Sequence, residues 1–206
     1  MSNDGMAAQG QDRLVKALVR EPGFFLDIGC CHPCRSNNTF ALEQAGWRGL
    51  CLDTDQTCLD RYPAVRKTPA VNFDCLASTK AWLRLLEMFE VPPVIDYMSV
   101  DVDDANLQVM QNFPFEQYEF KVMTFETDVY RIGSKLKDAA ISRLHPFGCY
   151  ALLLEDASLR DWYCRPWEDW WVNEKYIQCQ HLYVSAMGWL EFVEMLEHDR
   201  RIGGRV

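Results

Sequence analysis

Between Gly23 and Asp55 the chain reads GFFLDIGCCHPCRSNNTFALEQAGWRGLCLDTD, two short apolar runs that each close on an aspartate. Phe24-Phe25-Leu26 leads into Asp27-Ile28-Gly29, a turn and a short helix stopped by Gly46 follow, and Gly49 to Leu52 leads into Asp53. Strand, loop, helix, strand at this spacing is a unit of a parallel sheet. In such a sheet the first loop comes close to a ligand, and an acid closing the second strand can hold a pair of ribose hydroxyls. Phosphate-bearing cofactors fit poorly. A dinucleotide fingerprint needs three glycines where only Gly29 stands, and no Gly-Lys-Ser/Thr follows for a nucleotide triphosphate loop. A cofactor with a ribose and no phosphates fits better than NAD or ATP.

The same alternation continues along the chain. Pro22-Gly23 separates a leading helix, about Gln11 to Arg20, from the first strand. Gln56 to Tyr62 reads as a short helix ended by Pro63, and Pro69 to Phe73 as a strand followed by Asp74. Ser78 or Thr79 caps a helix with Trp82, Leu85, Leu86 and Phe89 on one face. Val94 to Val102 is the strongest strand pattern, followed by a helix over 105–113. Phe120 to Phe125 is a strand ending at Glu126, and Ser134 caps a helix running to Leu144. Cys149 to Leu154 and Trp167 to Val172 predict an antiparallel hairpin at the sheet edge. Ser185 to His198 carries Trp189, Phe192, Val193 and Leu196 at helical spacing. Strands alternating with helices predict a three-layer α/β fold with a largely parallel sheet.

With 206 residues, one domain over 1–206 is expected, with residues 1–10 a disordered leader and 11–20 the leading helix. Twenty-one basic against 30 acidic residues give a net charge of −9, a field that disfavours nucleic acid or an anionic membrane as partner. The first ten residues lack an apolar signal core, no apolar run is long enough to span a bilayer, and nine cysteines is an odd number. Together these predict reduced thiols and a cytoplasmic location.

Asp27-Ile28-Gly29-Cys30-Cys31-His32-Pro33, Asn38-Thr39, Gly46-Trp47-Arg48-Gly49 and Asp53 resemble the opening of the FkbM-type methyltransferases. A second block, Asp96 to Asp103 followed by Lys121 to Glu126, resembles the same family, and the match covers residues 22 to 155 in order. The resemblance implies the class I methyltransferase fold, a mixed, mostly parallel seven-stranded sheet. It implies S-adenosylmethionine (SAM) as cofactor and transfer of its methyl group to a hydroxyl on a sugar or other small molecule. One departure stands out: Asp103-Asp104-Ala105-Asn106 replaces the family's usual Glu-Gly-Ala-Glu.

Parallel sheets bind ligands at the carboxyl ends of their strands, where Asp27, Asp53, Asp101, Asp103 and Glu126 fall. Carboxylates converging there need a cation among them, and SAM brings a sulfonium and an ammonium. The expected cofactor set is Asp27, Gly29, Cys30, His32, Asn38, Asp53 and Asp74, with Asp53 on the ribose and Asp27 or Gly29 at the methionine end. His32 either lines the pocket or orders the loop. Asp101 and Glu126 are the expected catalytic pair, as general bases or as ligands of a divalent metal such as Mg2+; the residues leave both open. The tryptophans Trp162, Trp167, Trp170 and Trp171 read either as core or as an aromatic lid. Two competing functions remain: a methyltransferase-like binding module, favoured by the altered block at Asp103, and a zinc or redox protein. The latter rests on Cys30-Cys31-His32-Pro33-Cys34 with Cys164, Cys179 and His181, a spacing poorly suited to one tetrahedral ion. Homo-oligomerisation is left open.

Overall fold

The computed structural model describes residues 7, 10–158, 166–178, 184–185, 194–195 and 198. Helix α1 (Gln11–Leu18) precedes β1 (Phe24–Ile28), α2 (Phe40–Gln44) and β2 (Arg48–Asp53). Two single-turn helices, α3 (Gln56–Leu59) and α4 (Tyr62–Val65), lead to β3 (Ala70–Asn72), α5 (Thr79–Met88) and β4 (Val94–Val100). A 3-10 turn over Asp103–Ala105 runs into α6 (Asn106–Asn112), then β5 (Glu119–Glu126), α7 (Val129–Ile132) and α8 (Lys135–Leu144). Strands β6 (Tyr150–Ser158), β7 (Pro166–Asn173) and a two-residue β8 (Val184–Ser185) complete the sheet.

The sheet order is β3-β2-β1-β4-β5-β7-β6-β8. Strands β1 to β5 are mutually parallel, and β7 runs antiparallel to both β5 and β6. The seven-stranded mixed sheet expected from the sequence is therefore present, with β8 a short eighth member beside β6.

Period-2 alternation splits the core between the two faces of the sheet. Leu26, Met98 and Met123 pack on one side with Trp82 and Leu86 of α5, Val109 of α6 and Leu136 of α8. Phe25, Tyr97 and Val122 pack on the other with Leu14 and Val15 of α1, Leu42 of α2 and Tyr62. Burial on both faces is why the middles of these strands read as largely apolar runs. Trp170 and Trp171, neighbours in β7, enter opposite faces and are both buried, so they are core and not lid. Trp167 is partly exposed and stacks on Tyr130 at 5.8 Å.

Some boundaries move. Pro63 does not end a helix but sits in the first turn of α4, where its missing N–H costs no bond. Strand β4 stops at Val100 rather than 102, because the Val102 amide turns to donate to Asn106 Oδ1 at 3.0 Å. Helix α7 was not apparent from periodicity, as expected of one turn. The helix expected over 185–198 falls largely outside the described residues, as do Trp162, Cys164, Cys179, His181 and most of the leader. No disulfide joins the seven cysteines among the described residues. None of the described helices is long and apolar enough to cross a membrane.

Candidate cofactor and acceptor site

Sheet order reverses between β1 and β4, and the chain leaves these two strands toward opposite faces. After β1 it packs Leu42 of α2 on one side; after β4 it packs Val109 and Met110 of α6 on the other. The divergence opens a crevice at the carboxyl ends of the strands, the usual ligand position in an open α/β sheet. A cavity of about 600 Å³ lies there, lined by Gly29, Asp53, Phe73, Asp74, Asp101, Val102 and Asp103 among others. That volume falls within the roughly 300–1,000 Å³ of small-molecule sites.

Gly29 has φ +89°, and a Cβ on it would lie 1.7 Å from the Asp101 carbonyl oxygen. Only glycine lets the β1 loop turn this close to the end of β4, where the Asp101 amide donates to Ile28 O at 2.9 Å. Asp53 closes β2 and fastens the loop above it. Its Oδ2 accepts from the Cys31 amide at 2.7 Å, and its Oδ1 from the Asp55 amide at 2.8 Å. Asp74 Oδ1 accepts from the Leu76 amide at 2.9 Å. Among the described residues, four aspartates and neither lysine nor arginine line the cavity, while Leu52, Phe73, Leu76 and Val102 give it apolar walls. Such a chamber suits a cationic ligand with an apolar ring and repels phosphate.

The other expected cofactor residues sit beside the cavity rather than on it. Asp27 alternates with Leu26 and Ile28 and so points to the opposite sheet face, where Oδ2 accepts from Thr39 Oγ1 at 2.7 Å. Burial raises its pKa to about 6 against the opposing effects of Thr39 and Arg66. Cys30 is buried beneath the loop, its carbonyl accepting from Tyr62 Oη and Asn37 Nδ2. His32 orders the loop: its Nδ1 accepts from the Cys34 and Arg35 amides at 3.2 and 3.1 Å. Asn38 Nδ2 donates to Ser99 Oγ at 2.9 Å inside the fold.

Two residues the sequence did not single out hold this loop. Asn37 donates to the carbonyls of Cys30 and His32 and accepts at Oδ1 from the Thr39 and Phe40 amides. Arg66, buried, reaches Asn37 Oδ1 at 3.0 Å, Thr39 Oγ1 at 3.2 Å and Glu43 Oε2 at 2.6 Å. They lie 29 residues apart, so no local spacing could have announced the pair.

At the far side of the cavity Asp101 follows β4 and Glu126 ends β5, in adjacent register. Asp101 is exposed to the cavity, while Glu126 is buried behind it. Burial, then the Asp101 charge, pushes the Glu126 pKa up to about 10; burial also raises Asp101, eased by hydrogen bonding with Glu126. Of the two, Asp101 is the carboxyl that faces the cavity. Glu168 of β7 lies directly opposite Glu126, and its carboxylate accepts from Trp170 Nε1 and, at 3.1 Å, from Gln11 Nε2. Burial raises its pKa to about 8. Asn106 Nδ2 donates to the Glu126 carbonyl at 2.9 Å, tying the loop after β4 to the end of β5.

No protein-family model matches the chain, and no curated protein sequence matches it. Among solved structures, a protein described as an rRNA methylase from Clostridium thermocellum aligns with TM-score 0.54 at 11% identity, over 81% of this chain and 96% of its own. Spermidine synthase from Thermotoga maritima aligns with TM-score 0.51 at 7% identity, over 96% of this chain and 72% of its own. A Streptococcus mutans protein described as a methyltransferase, in complex with SAH, aligns with TM-score 0.49 at 12% identity over 79% of this chain and 94% of its own. At these identities the likeness is one of fold: the chain has the Rossmann-like architecture of the class I methyltransferases.

Proposed function

We propose that this chain is a SAM-dependent methyltransferase of the FkbM type, acting on a hydroxyl of a sugar or other small molecule. The observation that carries the reading is the phosphate-repelling cavity at the β1–β4 divergence, lined by Gly29, Asp53, Asp74 and Asp101. SAM, when bound, supplies a methyl group on a positively charged sulfur. Asp53, whose two oxygens each keep a lone pair after accepting one amide, would hold the ribose hydroxyls. Asp74 beside Phe73 and Leu76 would meet the base, and the Gly29 loop the charged methionine end.

A neutral hydroxyl is a weak nucleophile, so the acceptor needs its proton removed as it attacks. Asp101 is the group placed to take it, because it is the cavity-facing member of the pair. Holding acceptor and methyl in line would supply much of the remaining rate, since orientation alone is worth about 7–11 kcal/mol. The fold likeness to a protein described as an rRNA methylase raises RNA as an acceptor. Net charge −9 and a cavity lined with aspartates argue against it.

The test is calorimetric titration of the full chain with SAM, alongside Asp53→Ala. Wild type should bind one SAM per chain, and the variant at least tenfold more weakly, since each lost charge-assisted hydrogen bond is worth roughly 1.5–3 kcal/mol. Equal affinity of the two proteins would remove Asp53 from the site. No binding to wild type would favour the second reading, a methyltransferase-like binding module, for which the altered Asp103–Asn106 block is the motive.

A further inference from the structure

Next to the cavity, three carboxylates from three different elements converge. Asp103 opens the 3-10 turn after β4, Glu126 ends β5, and Asp128 stands before α7; one oxygen from each lies within 4.8 Å of the others. Glu126 and Asp128 are 5% and 3% exposed. Glu126 Oε2 and Asp128 Oδ1 are both buried with no hydrogen-bond donor. A buried carboxylate oxygen needs a donor, a water or an ion, and the protein supplies these two with no donor. Arg131 gives partial relief only. Its Nε holds the other Asp128 oxygen at 2.7 Å, and its Nη2 turns outward to Asp104 at 3.0 Å. Asp103 and Asp128 both hold left-handed backbone, φ 51° and 47°, which aspartate tolerates better than most residues.

From this geometry we infer that Asp103, Glu126 and Asp128 form a site for one hard divalent cation of the Mg2+ or Mn2+ class, at the acceptor edge of the cavity. The donor set is all oxygen, as these ions require. Oxygens on opposite sides of a Mg2+ ion stand about 4.2 Å apart, so a cluster within 4.8 Å needs only small side-chain adjustment to close on it. Three protein ligands leave coordination positions for water or for an acceptor hydroxyl. Asp103 lines the cavity and also belongs to the cluster, which places the open positions toward the acceptor. The ligand set differs from the Asp101–Glu126 pair expected from the sequence: Asp101 stays free as the base, and Asp128 takes its place. The ion's part in orienting a hydroxyl rests on the proposed methyl transfer; the site itself does not.

The experiment is titration of the chelator-treated full chain with MnCl2 in the absence of SAM, free Mn2+ being read by electron paramagnetic resonance. Wild type should take up one Mn2+ per chain in a saturable manner, displaced by Mg2+, with a rise in melting temperature. Asp103→Asn changes an exposed residue to one that accepts the same backbone, so the fold should persist, checked by circular dichroism. It should bind Mn2+ at least tenfold more weakly and lose the thermal shift. Asp104→Asn, the exposed neighbour outside the cluster, should bind within twofold of wild type. Absence of saturable uptake, unchanged uptake by Asp103→Asn, or equal weakening by Asp104→Asn would each overturn the site. The SAM titration is separate, so its failure and this one can be told apart.

Discussion

Glu168→Gln removes one buried carboxyl that titrates beside the site. Glu168 is 3% exposed, and burial raises its pKa from 4.5 to about 8, against the help of Trp170 Nε1 and Gln11 Nε2. A carboxyl whose pKa rises on folding favours the fold through its bound proton. That contribution is whole below 4.5, the unfolded value, and is lost as pH climbs toward 8. Between these limits the native state keeps a proton that the unfolded state has released, so stability falls by about 1.4 kcal/mol per pH unit. Glutamine removes the titration at nearly the same volume. Its oxygen can accept from Trp170 while its amide donates to Gln11, provided Gln11 turns its own amide over. Wild type and variant should therefore converge only below about pH 4.5, and the effect is read as the change between pH 5.5 and 7.5. Over that interval the variant should gain about 2–3 kcal/mol relative to wild type. In a chain of this size that is about 5–10 °C in melting temperature. Asp169, raised to about 7 by burial, keeps its own slope in both proteins, so the difference between them is the diagnostic quantity. The assay is urea or thermal unfolding followed by circular dichroism at several pH values. Parallel stability curves would show that Glu168 is ionised in the native state and that the reasoning about its burial is mistaken.

Two further substitutions separate architecture from chemistry. Gly29→Ala puts a methyl 1.7 Å from a backbone carbonyl and forces left-handed strain, so it should cost about 2–5 kcal/mol in unfolding measurements; a melting temperature within about 2 °C of wild type would refute the close approach. Asp101→Asn should abolish turnover on the true acceptor while SAM affinity by calorimetry stays nearly intact, and full activity would remove Asp101 as the base.

How much of this was legible depends on distance along the chain. Phe24–Ile28, Arg48–Asp53 and Val94–Val100 announce themselves because strands buried on both faces leave largely apolar runs. The acids that close them were therefore easy to find. Which way each side chain points was harder. Asp27 sits between Leu26 and Ile28, so the same period-2 rule that identifies the strand sends its carboxylate under α2, toward Thr39. The same alternation in the structure sends Trp170 and Trp171 into the core on opposite faces. Cys30, His32 and Asn38 lie in a loop, where no period applies, and hydrogen bonds to Tyr62, Cys34 and Ser99 decide their places. The long-range pieces carry no local signal at all. Gln11 meets Glu168 across 157 residues, and Arg66 meets Asn37 across 29.

The altered block at Asp103–Asn106 raised the most doubt about activity, and its packing bears on that doubt. Asn106 is fully buried, accepting from the Val102 amide at 3.0 Å and donating to the Glu126 carbonyl at 2.9 Å. A carboxylate in its place could make the first bond but has no hydrogen for the second. It would also add a charge to a corner already holding Asp101, Asp103, Glu126 and Asp128, with Arg131 as the one cation bonded to that set among the described residues. At like-charge separations of a few ångströms, each extra unit charge costs on the order of several kcal/mol at an effective dielectric near 20. The amide thus ties the loop after β4 to the end of β5 while lowering the repulsion at that end. Asp103 stays exposed at the cavity, so the substitution changes how the acidic corner is held together and leaves its access to a ligand open. That arrangement favours a working acceptor site over a vestigial one.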